Sequence, residues 1–244
     1  MKMNRKPEHI LEEATNLCQE EQELEAEVLV KDALIKDPNN LDLLTKLGVI
    51  QARLCKDEEA EFTFKSVLEK DPDYEEALCG LGRLLDQSLR AEEAEILYRD
   101  YLARNRSSHC VIDDLCRLLL TEERGEEALK LARDHVTLFH SDVEAYAALR
   151  YTLVMLEDKL GGELDNNRES VSVTTSLLGN LLDQLSLINQ MKQGAVLTPT
   201  LERELLDETS RVAGEIEHVL TSARIRNMPI PEEIVTRVDT LLKL

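Results

Sequence analysis

Apolar residues recur three and four positions apart along most of the chain, which is the spacing of one face of a helix. Between Leu41 and Arg53 the face is carried by Leu43, Leu44, Leu47 and Ile50, with Leu54 following. Between Glu58 and Glu69 it is carried by Phe62, Phe64, Val67 and Leu68. A polar turn near Lys56-Asp57 separates the two, with Asp57 placed to cap the second helix. The unit predicted is therefore a helix, a short turn and a second helix.

The unit repeats. Leu44, Leu47-Gly48, Ala60, Phe64 and Pro72 are followed 34 residues later by Leu78, Leu81-Gly82, Ala94 and Tyr98. A fixed period of this length is the mark of a stacked helical repeat. Gly48 and Gly82 fall mid-helix, where glycine costs roughly 1 kcal/mol against alanine. A neighbouring helix that approaches too closely for a side chain explains them, and Ala60 and Ala94 ask for the same small volume from the second helix. Enlarging either alanine overpacks the contact, at roughly 1–3 kcal/mol. One period back the register gives Ile10, Ala14, Leu17, Ala26, Val30 and Pro38. One period forward it gives Ile112, Leu115-Cys116, Leu119, Ala128 and Ala132, and a further step gives Tyr146, Leu149 and Leu153. The tripeptides Glu25-Ala26-Glu27, Glu59-Ala60-Glu61 and Glu93-Ala94-Glu95 keep the same register.

These residues resemble the tetratricopeptide repeat pattern, W-x2-L-G-x2-Y, then A-x3-F, then P. Leu44 stands at the Trp position and Gln51 at the Tyr position, while Leu47-Gly48, Ala60, Phe64 and Pro72 match. In the next unit Leu85 replaces the Tyr and Arg106 the Pro. The resemblance implies an all-α, right-handed α-solenoid of helix pairs over residues 7–160. Its units are about 7–40, 41–74, 75–108 and 109–142, with a partial unit at 143–160.

Junctions between units are punctuated by Asp37-Pro38-Asn39-Asn40 and Asp71-Pro72-Asp73-Tyr74, with Asn40 as a helix cap. Asn105-Arg106-Ser107-Ser108 is capped by serine, and the fourth junction is Ser141-Asp142. Turns within units fall near Leu89-Arg90-Ala91 and Arg124-Gly125, where Gly125 is suited to a positive φ. Pro7 opens the first helix, after a loose basic lead from Met1 to Lys6.

The 34-residue period stops near Gly161-Gly162, and residues 161–173 read as a linker around Asp165-Asn166-Asn167. Beyond it, residues 174–244 read as a helical hairpin and cap. One helix carries Leu177, Leu178, Leu181, Leu185, Ile188 and Met191. A second, opened by Thr198-Pro199, carries Leu201, Leu205, Val212, Ile216, Val219 and Ala223. After Asn227-Met228-Pro229-Ile230-Pro231 a last helix presents Ile234, Val235, Val238 and Leu241. This extension either caps the open end of the solenoid or forms a homodimer through residues 174–244. A leftover apolar strip on Leu177–Ile188 marks the dimer.

Hydrophobic residues make up 43% of the chain and aromatics only 3%, so the core is aliphatic. The formal charge is −20, which argues against non-specific nucleic-acid binding and against docking on anionic membranes. It fits a solvated acidic outer face or a basic partner. No run approaches the ~18 consecutive apolar residues of a membrane span, and residues 1–17 hold no secretory apolar region, so the cytoplasm is expected. The five cysteines, Cys18, Cys55, Cys79, Cys110 and Cys116, are odd in number and lack a C-x-x-C, so neither a disulfide framework nor a metal site is expected. The five histidines are scattered and no catalytic or cofactor motif is present. His109 and Cys110 are adjacent but point about 100° apart on a helix. The chain reads as a non-enzymatic scaffold with no cofactor.

By the resemblance, the first helices of successive units line a groove that takes a protein or peptide segment. The groove residues implied are Leu11, Thr15, Thr45, Val49, Ala52, Cys79, Arg83, Asp86, Asp113, Arg117, Leu120, Ala147 and Tyr151. Arg83 and Arg117 lie one period apart, suited either to a partner's carboxylate or to offsetting nearby acids. Family members that hold chaperone C-termini use Lys, Asn and Arg in this groove. The matching places hold Leu11, Thr15, Lys46, Glu76, Gly80, Cys110 and Asp114, so that activity is not implied.

Overall fold

A computed structural model describes residues 6–139, 145–166, 171–194, 199–225 and 228–241. The described residues form helices, turns and short connections, with no strand among them: the protein is all-α. None of the described helices is long and apolar enough to cross a membrane. The chain divides into two compact units, residues 1–118 and 119–244.

The first unit holds α1 (Pro7–Gln19), α2 (Glu23–Leu34), α3 (Leu41–Arg53), α4 (Asp57–Lys70), α5 (Glu75–Gln87), α6 (Ala91–Arg104) and most of α7 (His109–Thr121). From α1 to α6 each helix packs on the next, and the first helices α1, α3 and α5 also pack side by side. This is a stack of helix pairs. Its burial runs across pairs: Ile10, Ala14 and Cys18 of α1 and Ala26, Val30 and Ala33 of α2 share one core with Leu43, Leu47 and Ile50 of α3. A pair alone would leave that face wet.

The small residues do what their spacing predicts. A Cβ on Gly48 would lie 2.7 Å from Cε1 of Phe64 on α4, and one on Gly80 would lie 2.6 Å from the same atom. Phe64 is thus held between glycines of two successive first helices. Gly82 faces Tyr98 of α6 in the same way. Ala60 and Ala94 are fully buried. Phe62, in contrast, is not a core residue: it is 75% exposed, and Thr63 turns inward instead. The Thr63 hydroxyl donates to Gln51 Oε1 at 2.8 Å, while Gln51 Nε2 donates to Glu59 at 3.1 Å. A buried polar pair is satisfied there, and the neighbouring aromatic is left outside.

The turns inside the pairs are copies of one backbone shape. Glu21, Cys55, Leu89 and Glu123 all take positive φ, between 56° and 60°, and they lie one period apart. The following amide, on Gln22, Lys56, Arg90 and Arg124, donates to the carbonyl of Leu17, Gln51, Leu85 and Leu119 respectively, at 2.7–2.9 Å. This closes the last turn of each first helix with a left-handed residue. Gly125 is not that residue: it sits at the start of α8, and Glu123 takes the positive φ. Asp57 is likewise the first residue of α4 rather than its cap. Between pairs, Asn40 Oδ1 accepts from the Leu43 amide at 3.1 Å and Ser108 Oγ from the Val111 amide at 3.2 Å. Both are caps that the sequence calls for. The Ser141-Asp142 junction lies outside the described residues.

Side-chain ladders tie one pair to the next. Lys56 Nζ meets Glu27 at 2.7 Å, and one period on Arg90 Nη1 meets Glu61 at 2.7 Å. Lys70 donates to Asn39 at 3.0 Å, and one period on Arg104 donates to Asp73 at 2.6 Å. The second glutamate of the repeated Glu-Ala-Glu therefore anchors the cation that opens the second helix of the next pair.

The second unit holds the C-terminal end of α7, α8 (Gly125–Leu138), α9 (Ala145–Asn166), α10 (Val171–Gly194), α11 (Pro199–Ile225) and α12 (Glu232–Leu241). Helix α9 packs on α8 and α10, and α10 also packs on α11 and α12. The Ala128, Ala132, Tyr146, Leu149 and Leu153 set is buried as the register requires. Helix α9 does not end near residue 160; it continues through Gly161-Gly162 to Asn166, so the expected linker is helical over 161–166. Two mid-helix glycines cost roughly 1 kcal/mol each, too little to stop a long helix. Residues 167–170, and with them Asn167, lie outside the described residues, as do Met1–Arg5, Thr198 and Asn227; nothing is said of the Leu201 side chain. Leu177, Leu178, Leu181, Leu182, Leu185, Leu187, Ile188 and Met191 are all buried, so α10 is covered on several sides within the chain. Val235 of α12 is exposed, while Ile234 and Val238 are buried.

Candidate functional site

In the first unit the first helices present one face, built from the same turn positions of α1, α3, α5 and α7. Leu11, Val49, Ala52, Asp86 and Arg117 are partly exposed there, and Thr15, Arg83 and Asp113 are open to solvent. Thr45 and Cys79 are buried, at 7% and 2% exposure, so they floor the face rather than project from it. Leu120, Ala147 and Tyr151 belong to the second unit, with Ala147 and Tyr151 exposed and Leu120 partly so.

Positions 31 apart meet across neighbouring first helices. Lys46 of α3 donates to Thr15 Oγ1 of α1 at 2.7 Å, and the Thr15 hydroxyl donates to the Leu11 carbonyl at 2.7 Å. Burial holds the Lys46 ammonium below its usual pKa. Two units further on, the equivalent pair is Arg83 of α5 and Asp114 of α7. Arg83 Nε lies 3.0 and 2.9 Å from the two Asp114 oxygens, and Arg117 Nη2 lies 2.7 Å from Oδ1. Asp114 is 1% exposed. Both arginines therefore serve a buried carboxylate of the chain itself, the second of the two roles their spacing allows. Their side chains stay 48% and 40% exposed, so their outer edges still border the face.

The same helices bring together a cluster that sequence spacing hides. Cys79 Sγ lies 3.2 Å from Cys110 Sγ, and Arg83 Nη2 reaches Cys110 Sγ at 3.8 Å. Ligand atoms of Cys79, Cys110 and Asp114 fall within 4.8 Å of one another. The signal was available as a 31-residue interval shared with Arg83–Asp114, but not as any local motif. Cys110 meets Cys79 across the two helices.

A second surface runs along the second helices. Val28, Phe62 and Ile96, one period apart, are 62%, 75% and 61% exposed. In the second unit, Asp183 of α10 is paired with Arg133 of α8 and with Arg237 of α12, the latter at 2.6 Å. These three residues border a cleft of about 570 Å³ with Leu149, Leu153 and Leu187.

No family model and no curated protein matches the chain. Among solved structures, the chain is similar to a tetratricopeptide repeat protein from Parabacteroides merdae at 18% identity, over 96% of this chain and 98% of that one, with a TM-score of 0.47. It is similar to a thermophilic TPR protein of Thermus thermophilus at 14% identity, over 85% and 97% of the two chains, with a TM-score of 0.48. The MamA protein gives 16% identity, 78% and 96% coverage, and a TM-score of 0.49. These likenesses are distant; the helix pairs are defined by the packing described above.

Proposed function

We propose that this chain is a non-enzymatic scaffold that holds a protein segment, extended or helical, against the first-helix face of its repeat array. The observation that carries the reading is the row of α1, α3, α5 and α7, cross-linked by Lys46–Thr15 and Arg83–Asp114. Such a row is rigid before a partner arrives, so less freedom is lost on binding and more contact energy survives as affinity. Leu11, Val49 and Ala52 supply apolar contact and Thr15, Asp86 and Asp113 supply hydrogen-bonding edges. The partner is a protein, not a nucleic acid, in line with the charge of −20. We place it in the cytoplasm, since an odd number of cysteines with no C-x-x-C suits a reducing compartment.

Reversing Arg83 and Arg117 to glutamate is a poor test, since it strands the buried Asp114. A photo-cross-linking residue placed at Val49 or Asp86 is cleaner, with one at Phe62 on the second-helix surface as control. Adducts with one protein from the first two sites and none from Phe62 support the groove. Adducts only from Phe62 overturn it.

Assembly of copies through the C-terminal helices, and service as a dedicated chaperone for a secreted or assembling subunit, are the alternatives. The strip on Leu177–Ile188 that would favour a homodimer is covered within the chain. Sedimentation of the full chain as a concentration-independent monomer would remove the first alternative.

A further inference from the structure

The Cys79–Cys110 pair lies at the floor of the first-helix face, and its chemistry can be judged without any partner. Two thiols 3.2 Å apart on separate helices need to close by only about 1 Å to reach an S–S bond. Their surroundings distinguish the two sulfurs. Cys110 is partly exposed and has the Arg83 guanidinium at 3.8 Å, while Cys79 is buried. The hydrogen bond from Cys79, with help from Arg83, holds Cys110 below the usual thiol range; the same bond and burial push Cys79 up. The pair thus has an attacking sulfur that faces solvent and a resolving sulfur beneath it. A divalent metal is the competing occupant. Both oxygens of its third ligand, Asp114, are already held by Arg83 and Arg117, and two guanidinium cations oppose a third positive charge.

We propose that Cys79 and Cys110 form a reversible dithiol–disulfide site that reacts with hydroperoxides and links α5 to α7 beneath the first-helix face. Cys110 releases its proton, the thiolate attacks the terminal peroxide oxygen, the O–O bond breaks, and the leaving alkoxide or hydroxide takes up the released proton. This gives a sulfenic acid. The Cys79 sulfur then attacks the Cys110 sulfur, the S–O bond breaks, and hydroxide leaves as water with the Cys79 proton. Two thiols and one hydroperoxide become one disulfide, one alcohol and one water, the peroxide taking up two electrons. Two molecules of a small thiol such as glutathione reverse the link by exchange, the first forming a mixed disulfide and the second leaving with it as glutathione disulfide.

The full chain is treated with sub-stoichiometric hydrogen peroxide, blocked with an alkylating reagent and mapped by mass spectrometry without reduction. The expected result is a Cys79–Cys110 cross-linked peptide, lighter by two hydrogens and lost on adding glutathione, formed before Cys18, Cys55 or Cys116 is modified. In Cys79→Ser the sulfenic acid persists on Cys110 and is trapped by dimedone. First oxidation at exposed Cys55, or equal modification of all five cysteines, would overturn the proposal. So would a one-to-one Zn²⁺ complex at these sulfurs that survives the peroxide.

Discussion

Arg90, at the N-cap of α6, reaches back to Glu61 on α4, with Nη1 2.7 Å from Oε2. Lys65 lies on the other side of the same carboxylate at 2.5 Å. The two cations hold the Glu61 carboxyl at a pKa of about 2, below its ordinary 4.5. A carboxylate depressed in the folded state stabilises the fold above its unfolded pKa, and that contribution is lost as pH falls through the folded value. Stability of the array should therefore decline between about pH 4.5 and pH 2. Glu61→Gln should flatten part of that decline in urea titrations followed by circular dichroism. An unchanged slope would show that the ladder is not what acid breaks.

Glycine substitutions should separate close approach from open helix. Gly80→Ala drives a methyl into the buried Phe64 ring and should destabilise by about 1–2 kcal/mol, overpacking outweighing the gain in helix propensity. Gly179→Ala on α10 meets nothing within 4 Å, and should stabilise by up to about 1 kcal/mol. Denaturant midpoints of the two variants should move in opposite directions.

Leu89 is 93% exposed and holds a left-handed backbone at φ 60°. A side chain in that region costs about 1 kcal/mol that glycine does not. Leu89→Gly should raise stability by about that amount, read as a higher urea midpoint with unchanged slope.

Arg83→Glu removes the main partner of a carboxylate that is 1% exposed and places a second negative charge beside it. The expected loss is on the order of 2–3 kcal/mol. Adding Asp114→Asn to the same chain should recover much of it, and a double-mutant cycle would measure the coupling.

The helix pairs could be read in advance because their requirement is steric, and steric need shows in residue type. Gly48 and Gly82 are small for a reason that the structure makes explicit in Phe64 and Tyr98, and Ala60 and Ala94 are fully buried. The caps at Asn40 and Ser108 were equally legible, since few side chains can accept from an amide three residues on. Phe62 misled because helical spacing does not separate adjacent positions, and Thr63, bonded to Gln51, takes the inward place. Gly125 misled because the left-handed turn residue was sought as glycine, whereas the chain uses Glu, Cys, Leu and Glu. The thiol pair forms no local motif: its members stand 31 residues apart, and the lateral offset of neighbouring first helices brings them together.

Every bend within a pair is fastened main chain to main chain, from the amides of residues 22, 56, 90 and 124 to carbonyls five residues earlier. The left-handed residues there, Glu21, Cys55, Leu89 and Glu123, lend no side chain to that bond, so four corners of one shape are built from three different amino acids. A single-residue insertion at a corner, in contrast, would uncouple a donor from its acceptor whatever amino acid was added. Evolution of this architecture is thus free in spelling and strict in counting.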